Sequence, residues 1–200
     1  MSAPSTTNAT TESFSCDYLA RLQGVLNQID TKSLATAIDM IENAWIRGAQ
    51  IITLGNGGSA QTALHFITDW NKSPFLSAGR PFRGRSLLDN IGLLTAYAND
   101  ISYQDVFVEQ LRNVVQADDL VIAISGSGNS ENVIRAVRYA REKEIETLGL
   151  CGFSGGKLLQ AAAHCLHVPV DDMQLVEDVH MLFGHIVMQK LCRAPRRTEK

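Results

Sequence analysis

Apolar residues recur at helical spacing twice near the start of the chain. Phe14, Tyr18, Leu19, Leu22, Val25 and Leu26 form one set, and after Asp30-Thr31 come Leu34, Ala37, Ile38, Ile41, Ala44 and Trp45. This spacing predicts two amphipathic helices, the second starting at a Thr31 cap and ending near Gly48, where glycine suits a left-handed terminus. Beyond Gly48 the pattern changes to short, nearly continuous apolar runs that end in glycine or serine and lead into helical segments. Ile51-Ile52-Thr53-Leu54 runs into Gly55-Asn56-Gly57-Gly58-Ser59 and a helix over about 60–70. Leu120-Val121-Ile122-Ala123-Ile124 runs into Ser125-Gly126-Ser127-Gly128-Asn129-Ser130 and a helix over about 131–143. Thr147-Leu148-Gly149-Leu150 leads to Gly152-Phe153-Ser154-Gly155-Gly156 and a helix from Lys157, before Cys165-Leu166-His167-Val168-Pro169. Strands apolar on both faces, alternating with helices, predict an α/β fold whose mostly parallel sheet is covered on both sides. A last helix is expected over 174–191.

Residues 1–13 lack a periodic apolar face and are expected to be a disordered or loosely docked lead. A single domain is expected over 14–192, its two N-terminal helices used mainly in assembly because Phe14, Leu22, Ile38, Ile41 and Trp45 supply more apolar surface than one small sheet needs, followed by a solvated basic tail, 193–200, that carries Arg193, Arg196, Arg197 and Lys200. With 200 residues, 45% of them hydrophobic and 20% charged, there is room for one core. Eighteen Lys and Arg against 21 Asp and Glu give a net charge of -3, so no nucleic-acid partner is expected. No run approaches the ~20 apolar residues of a membrane span, and the first residues lack the basic and apolar segments of a secretory leader. A cytoplasmic protein without membrane contact is expected. Cys16, Cys151, Cys165 and Cys192 are scattered without a CxxC pair, which predicts reduced thiols.

The two glycine- and serine-rich junctions carry the first chemical signal. In an open α/β sheet ligands bind outside the carboxyl ends of the strands, where helix N-termini present unpaired N–H groups to anions. Gly55, Gly57 and Gly58 allow close backbone approach, and Ser59 adds a hydroxyl at the helix start. Ser125, Ser127 and Ser130 alternate with Gly126 and Gly128, so hydroxyls and backbone donors converge. Neither loop has the spacing of a nucleotide-binding fingerprint. A small phosphorylated ligand is expected.

The stretches Gly55-Asn56-Gly57-Gly58-Ser59-Ala60, Ala98-Asn99-Asp100 and Ile124 to Ser130, with Gly155-Gly156-Lys157-Leu158 and Val176-Glu177-Asp178-Val179-His180, resemble a SIS (sugar isomerase) domain of the phosphoheptose isomerase group. The resemblance runs from the N-terminal helices to about Leu191. It implies a three-layer domain with a five-stranded parallel sheet, a homotetramer with active sites between subunits, and interconversion of sedoheptulose 7-phosphate with D-glycero-D-manno-heptose 7-phosphate. It also implies a substrate site formed by Asn56, Gly57, Gly58, Ser59, Ser125, Gly126, Ser127 and Ser130, with Asp89 at the sugar; Asp89, Asn99 and Asp100 are expected near further strand ends, as part of the same site.

Ketose–aldose isomerisation needs a base beside the carbonyl and an acid at its oxygen, and a carboxylate and a histidine suffice. His65 and Asp69 lie at i and i+4 and share a helix face. On the last helix Asp178 and His185 are nearly aligned, while Glu177 and His185 differ by about 80°. The resemblance places the catalytic acid on His185 and the base on Asp69 or Glu177, and it places zinc ligands on His65, Asp69, Glu177 and His185. The chain departs from the group at two of these positions: Asp69 is one methylene shorter than the usual glutamate, and Glu177 replaces a glutamine. His180 reads as a core or interface histidine, and Lys72, Arg80, Arg83 and Arg85 as a cationic loop with an arginine able to reach a neighbouring subunit's substrate. Two other readings stand beside the isomerase. A non-catalytic SIS-domain protein of the replication-initiator-associating type lacks the acid and the histidine at the positions of Asp69 and His185. A sugar-phosphate-sensing regulator needs a helix-turn-helix domain, for which two short helices before Ile51 leave no room.

Overall fold

The computed structural model describes residues 10–196, so 1–9 of the expected lead and 197–200 of the expected tail lie outside the described residues. Helix α1 (Thr11–Leu26) starts three residues before Phe14, because the Thr10 hydroxyl accepts the Ser13 N–H at 3.1 Å and caps it. Helix α2 (Thr31–Arg47) is capped by Asp30 rather than Thr31 and ends, as expected, on left-handed Gly48 at φ 75°. The chain continues through β1 (Gln50–Gly55), α3 (Gly57–Ala78), β2 (Arg83–Ser86), α4 (Ile91–Asp100), a short 3-10 turn at Tyr103–Asp105, and α5 (Val106–Val114). It finishes with β3 (Leu120–Ser125), α6 (Glu131–Glu142), β4 (Glu146–Cys151), α7 (Leu158–Ala161), β5 (His164–His167) and α8 (Met173–Cys192).

The five strands form one parallel sheet in the order β2-β1-β3-β4-β5. Helices cover both faces, and the alternation along β3 shows it. Leu120, Ile122 and Ile124 pack with Ile41, Trp45, Phe66, Trp70 and Phe183 on one side. Val121 and Ala123 pack with Phe107, Leu111, Val133 and Val137 on the other. No helix among the described residues is long and apolar enough to cross a membrane.

Further sequence readings need correction. Helix α3 does not stop near Trp70 but passes through a buried Pro74 to Ala78. Lys72 is therefore helical, and Arg80 and Arg83 donate to the carbonyls of Ile46 and Gly48 near the C-terminus of α2, at the sheet end away from the glycine loops. Asn99 and Asp100 do not follow a strand. They end helix α4, and their side chains bond each other at 2.8 Å. Ile41 and Trp45 belong to the protomer's own core at 0% and 3% exposure, whereas Phe14 and Leu19 of α1 remain 63% and 64% exposed.

His180 of α8 is fully buried, and neither ring nitrogen has a hydrogen-bond partner among the described residues. Burial holds its pKa down to about 4 from 6.5, opposed weakly by the Cys151 backbone. Below pH 6.5 the unfolded chain takes a proton that the folded chain refuses until about pH 4, so acid must destabilise the fold. The 2.5-unit depression corresponds to about 3 kcal/mol, fully present above pH 6.5 and lost as pH falls to 4. A His180→Met variant should lose that part of the pH slope, measured by urea unfolding at pH 4, 5, 6 and 7. Identical slopes in variant and wild type would show that His180 is protonated in the folded protein.

Candidate functional site

The carboxyl ends of β1 and β3 meet where the strand order reverses, the place where an open parallel sheet leaves a crevice. A cavity of about 170 Å³ opens there, lined by Asn56, Ser59, Ile124, Ser125, Gly126, Ser127, Ser130, Met173 and Glu177. Two helices begin at it, α3 from Asn56 and α6 from Ser130. Neither cap residue uses its side chain on its own helix, although Thr10, Asp30, Asn90 and Asp172 all cap theirs. The first N–H groups of α3 and those of Glu131 and Asn132 at the start of α6 are thus left for an anion, while the Val133 N–H is taken by Asn132 Oδ1. Ser125 Oγ lies 3.3 Å from Ser130 Oγ, and Ser127 Oγ accepts the Asn129 N–H at 3.2 Å. Gly57 has a positive φ of 54°, and a Cβ on Gly58 would collide with the Glu177 carboxylate. A Cβ on Gly126 would strike Met173 Sδ.

A second group forms where α3 crosses α8. Gly184 makes the close crossing possible: a Cβ there would enter the Phe66 ring, and Trp70 Nε1 donates to the Gly184 carbonyl at 3.0 Å. The crossing brings His65 Nε2 to 3.1 Å from His185 Nε2 and to 3.2 Å from Asp69 Oδ2. One ligand atom from each of these three residues lies within 4.8 Å of the others. Tetrahedral zinc with ligands at ~2.0–2.1 Å would set its donor atoms ~3.3 Å apart, and the two imidazoles and one carboxylate suit that ion. Glu177 is outside this trio and faces the serine cavity instead. The two groups are linked by their helices, since α3 carries Ser59, His65 and Asp69, and α8 carries Glu177 and His185.

Asp89 sits in the turn after β2, its carboxylate accepting the Ser86 N–H at 3.1 Å, at the same sheet end as the cavity. Asp178 points away from Glu177's cavity and accepts the Tyr18 hydroxyl of α1 at 2.7 Å, a bond that pushes the Tyr18 pKa up to about 12. Sequence reasoning missed Met173, Asn132 and Tyr103. Met173 opens the helix that carries Glu177, and Asn132 sits in the first turn of α6, so both were findable by helix position. Tyr103 carried no local signal.

Residues 17–152 match the SIS domain family. Phosphoheptose isomerase from Aliarcobacter butzleri is 34% identical over 179 residues, covering 86% of this chain and 92% of that protein. Phosphoheptose isomerase from Helicobacter pylori is 37% identical over 169 residues, covering 84% and 83%. The solved structure of phosphoheptose isomerase from Neisseria gonorrhoeae superposes with a TM-score of 0.83 at 26% identity, covering 91% of this chain and 98% of that one.

Proposed function

The chain belongs to the SIS domain family, in its phosphoheptose isomerase group, and from that premise we propose that this sugar-phosphate isomerase interconverts sedoheptulose 7-phosphate and D-glycero-D-manno-heptose 7-phosphate. The observation that carries the reading is the spacing of the two groups on α3. Ser59 and His65 are six residues apart, about 9 Å along the helix axis. That separation suits an extended sugar with its phosphate at one end and its reacting carbons at the other.

In this mechanism the serine hydroxyls and the N-termini of α3 and α6 hold the phosphate. A carboxylate, Asp69 or Glu177, removes the proton from the carbon beside the carbonyl, and His185 protonates the oxygen to give the enediol. The same groups run in reverse to form the other isomer. His65, Asp69 and His185 would hold zinc, and Glu177, the fourth ligand the resemblance implies, faces the adjoining serine cavity in this protomer. Zinc bound there would polarise the carbonyl and ease proton removal. The replacement of a neutral glutamine by Glu177 adds an anion that favours a divalent cation.

We infer a homotetramer with active sites between subunits. Supporting it, Phe14 and Leu19 are exposed on α1, and His185 lines a groove of about 400 Å³ with Ile38, Leu182 and Ile186 of α2 and α8. Four free cysteines suit a cytoplasmic enzyme.

Incubating the purified protein with sedoheptulose 7-phosphate should produce an aldose phosphate visible by NMR, and a chelator should slow its appearance. Inactivity on every heptose and hexose phosphate tried would favour the non-catalytic binding protein. The clustering of Asp69 with two histidines argues against that second reading.

A further inference from the structure

We infer that Tyr103 is a positioning residue for the anion cavity: it anchors the Asn56 amide in the orientation that the Val133 N–H fixes through Asn132, with an N–H, not a carbonyl, toward the ligand. This rests on the sugar-phosphate reading of the cavity. Asn56 opens α3 and lines the cavity, yet its side chain does not cap the helix. Its amide instead pairs with that of Asn132: Asn56 Nδ2 donates to Asn132 Oδ1 at 2.8 Å, and Asn132 Nδ2 donates to Asn56 Oδ1 at 3.0 Å.

Such an amide pair can turn over at both ends without losing a bond, so the pair alone does not set its polarity. The Val133 N–H sets it. The Val133 N–H donates to Asn132 Oδ1 at 2.9 Å, and only an oxygen can accept there. At the other end the Tyr103 hydroxyl, which can donate or accept and so follows the polarity set by Val133, donates to Asn56 Oδ1 at 2.7 Å and holds the amide in place. Asn56 Oδ1 then accepts two bonds, which engages both its lone pairs, while Nδ2 keeps one unused N–H.

The polarity matters because no Lys or Arg is among the described residues that line this cavity, and the Glu177 carboxylate is. A carbonyl oxygen turned inward would add a second acceptor facing the phosphate. Tyr103 itself is held by its own turn: Ser102 Oγ donates to Asp105 Oδ2 at 2.6 Å, and Arg135 Nη1 pairs with Asp105 Oδ1 at 2.8 Å. The Tyr103 side chain is 54% exposed, so the bond to Asn56 is not a by-product of core packing.

The test uses inorganic phosphate as the probe, by calorimetry, alongside steady-state kinetics and thermal unfolding. Tyr103→Phe should raise the phosphate Kd and the sugar-phosphate KM about fivefold, the scale of one hydrogen bond. It should leave kcat within twofold and the unfolding midpoint unchanged. Asn56→Asp, which replaces the inward N–H by an oxygen of the same shape, should weaken phosphate by more than about 20-fold, as loss of a bond to a charged group does. If Tyr103→Phe binds phosphate as wild type does, the inference fails and the isomerase reading stands. A fall in kcat and unfolding midpoint together, without a change in Kd, would make Tyr103 a structural clip and overturn the inference. If wild type itself does not bind phosphate, the reading of the cavity fails and the inference fails with it.

Discussion

His185→Ala should lower kcat by about 10²–10⁴-fold, the usual contribution of a positioned general acid, while the protein still folds and assembles. The expectation follows from where the ring sits. His185 is half-buried at the α3–α8 crossing, with its ring edge-on to His65 at 5.2 Å between centroids, and it lines an open groove rather than the core. Removing it opens space to solvent instead of leaving a sealed cavity, so the stability cost is small. The phosphate cradle lies on other residues, so KM should change little, and a drop confined to kcat is the mark of an interaction made in the transition state. Asp69→Ala should behave alike if Asp69 is the base, because it shares the same cluster through His65. Kinetics paired with circular dichroism and light scattering would check this. Near-normal turnover in a folded His185→Ala protein would place the acid on another group.

The parts of this molecule that were legible in its sequence are those where one physical requirement acts on consecutive residues. β1, β3 and β4 are buried on both faces, so nothing interrupts their apolar runs, and the glycine and serine loops that follow them stood out for the same reason. β2 was not separable by pattern: Arg83-Gly84-Arg85-Ser86 is a four-residue edge strand with only Ser86 buried, and it is held partly by Asn71, whose amide bonds both the N–H and the carbonyl of Gly84. Pro74 lies inside α3, where a proline removes a backbone donor, yet the tertiary packing of Phe66, Trp70 and Ala78 keeps the helix going on its far side. The i,i+4 spacing of His65 and Asp69 put both on one face, and Gly184, which lets α8 come close enough to bring His185 to them, is a packing feature with no periodic signature. Glu177 illustrates the limit of helical angles. Its 80° offset from His185 was readable, but its place against Gly58 depends on where α8 crosses α3, which no single helix encodes.

Ser127→Ala with Ser130→Ala should weaken sugar-phosphate binding by about 10²–10⁴-fold, since each hydroxyl bonded to a charged group contributes roughly 1.5–3 kcal/mol. Many phosphate sites would lose less, because a lysine or arginine carries much of the attraction. Here the cavity is lined by serines, an asparagine, apolar side chains and the Glu177 carboxylate, with no cation among its lining residues. Within the described residues of one protomer, attraction comes from hydroxyls and from the N–H groups at the starts of α3 and α6, which act only at hydrogen-bond range. The two hydroxyls also hold little else: Ser130 makes no cap bond on α6 and only accepts the long 3.3 Å bond from Ser125, and Ser127 Oγ accepts the Asn129 N–H of its own turn. Ser125, which is buried, stays in place to preserve the loop. The fold should survive, KM should rise with kcat retained at saturation, and direct titration with sugar phosphate should give the same factor as KM. Unchanged affinity in the double variant would move the phosphate out of this cavity, and with it the 9 Å spacing along α3 that connects the cradle to His65 and His185.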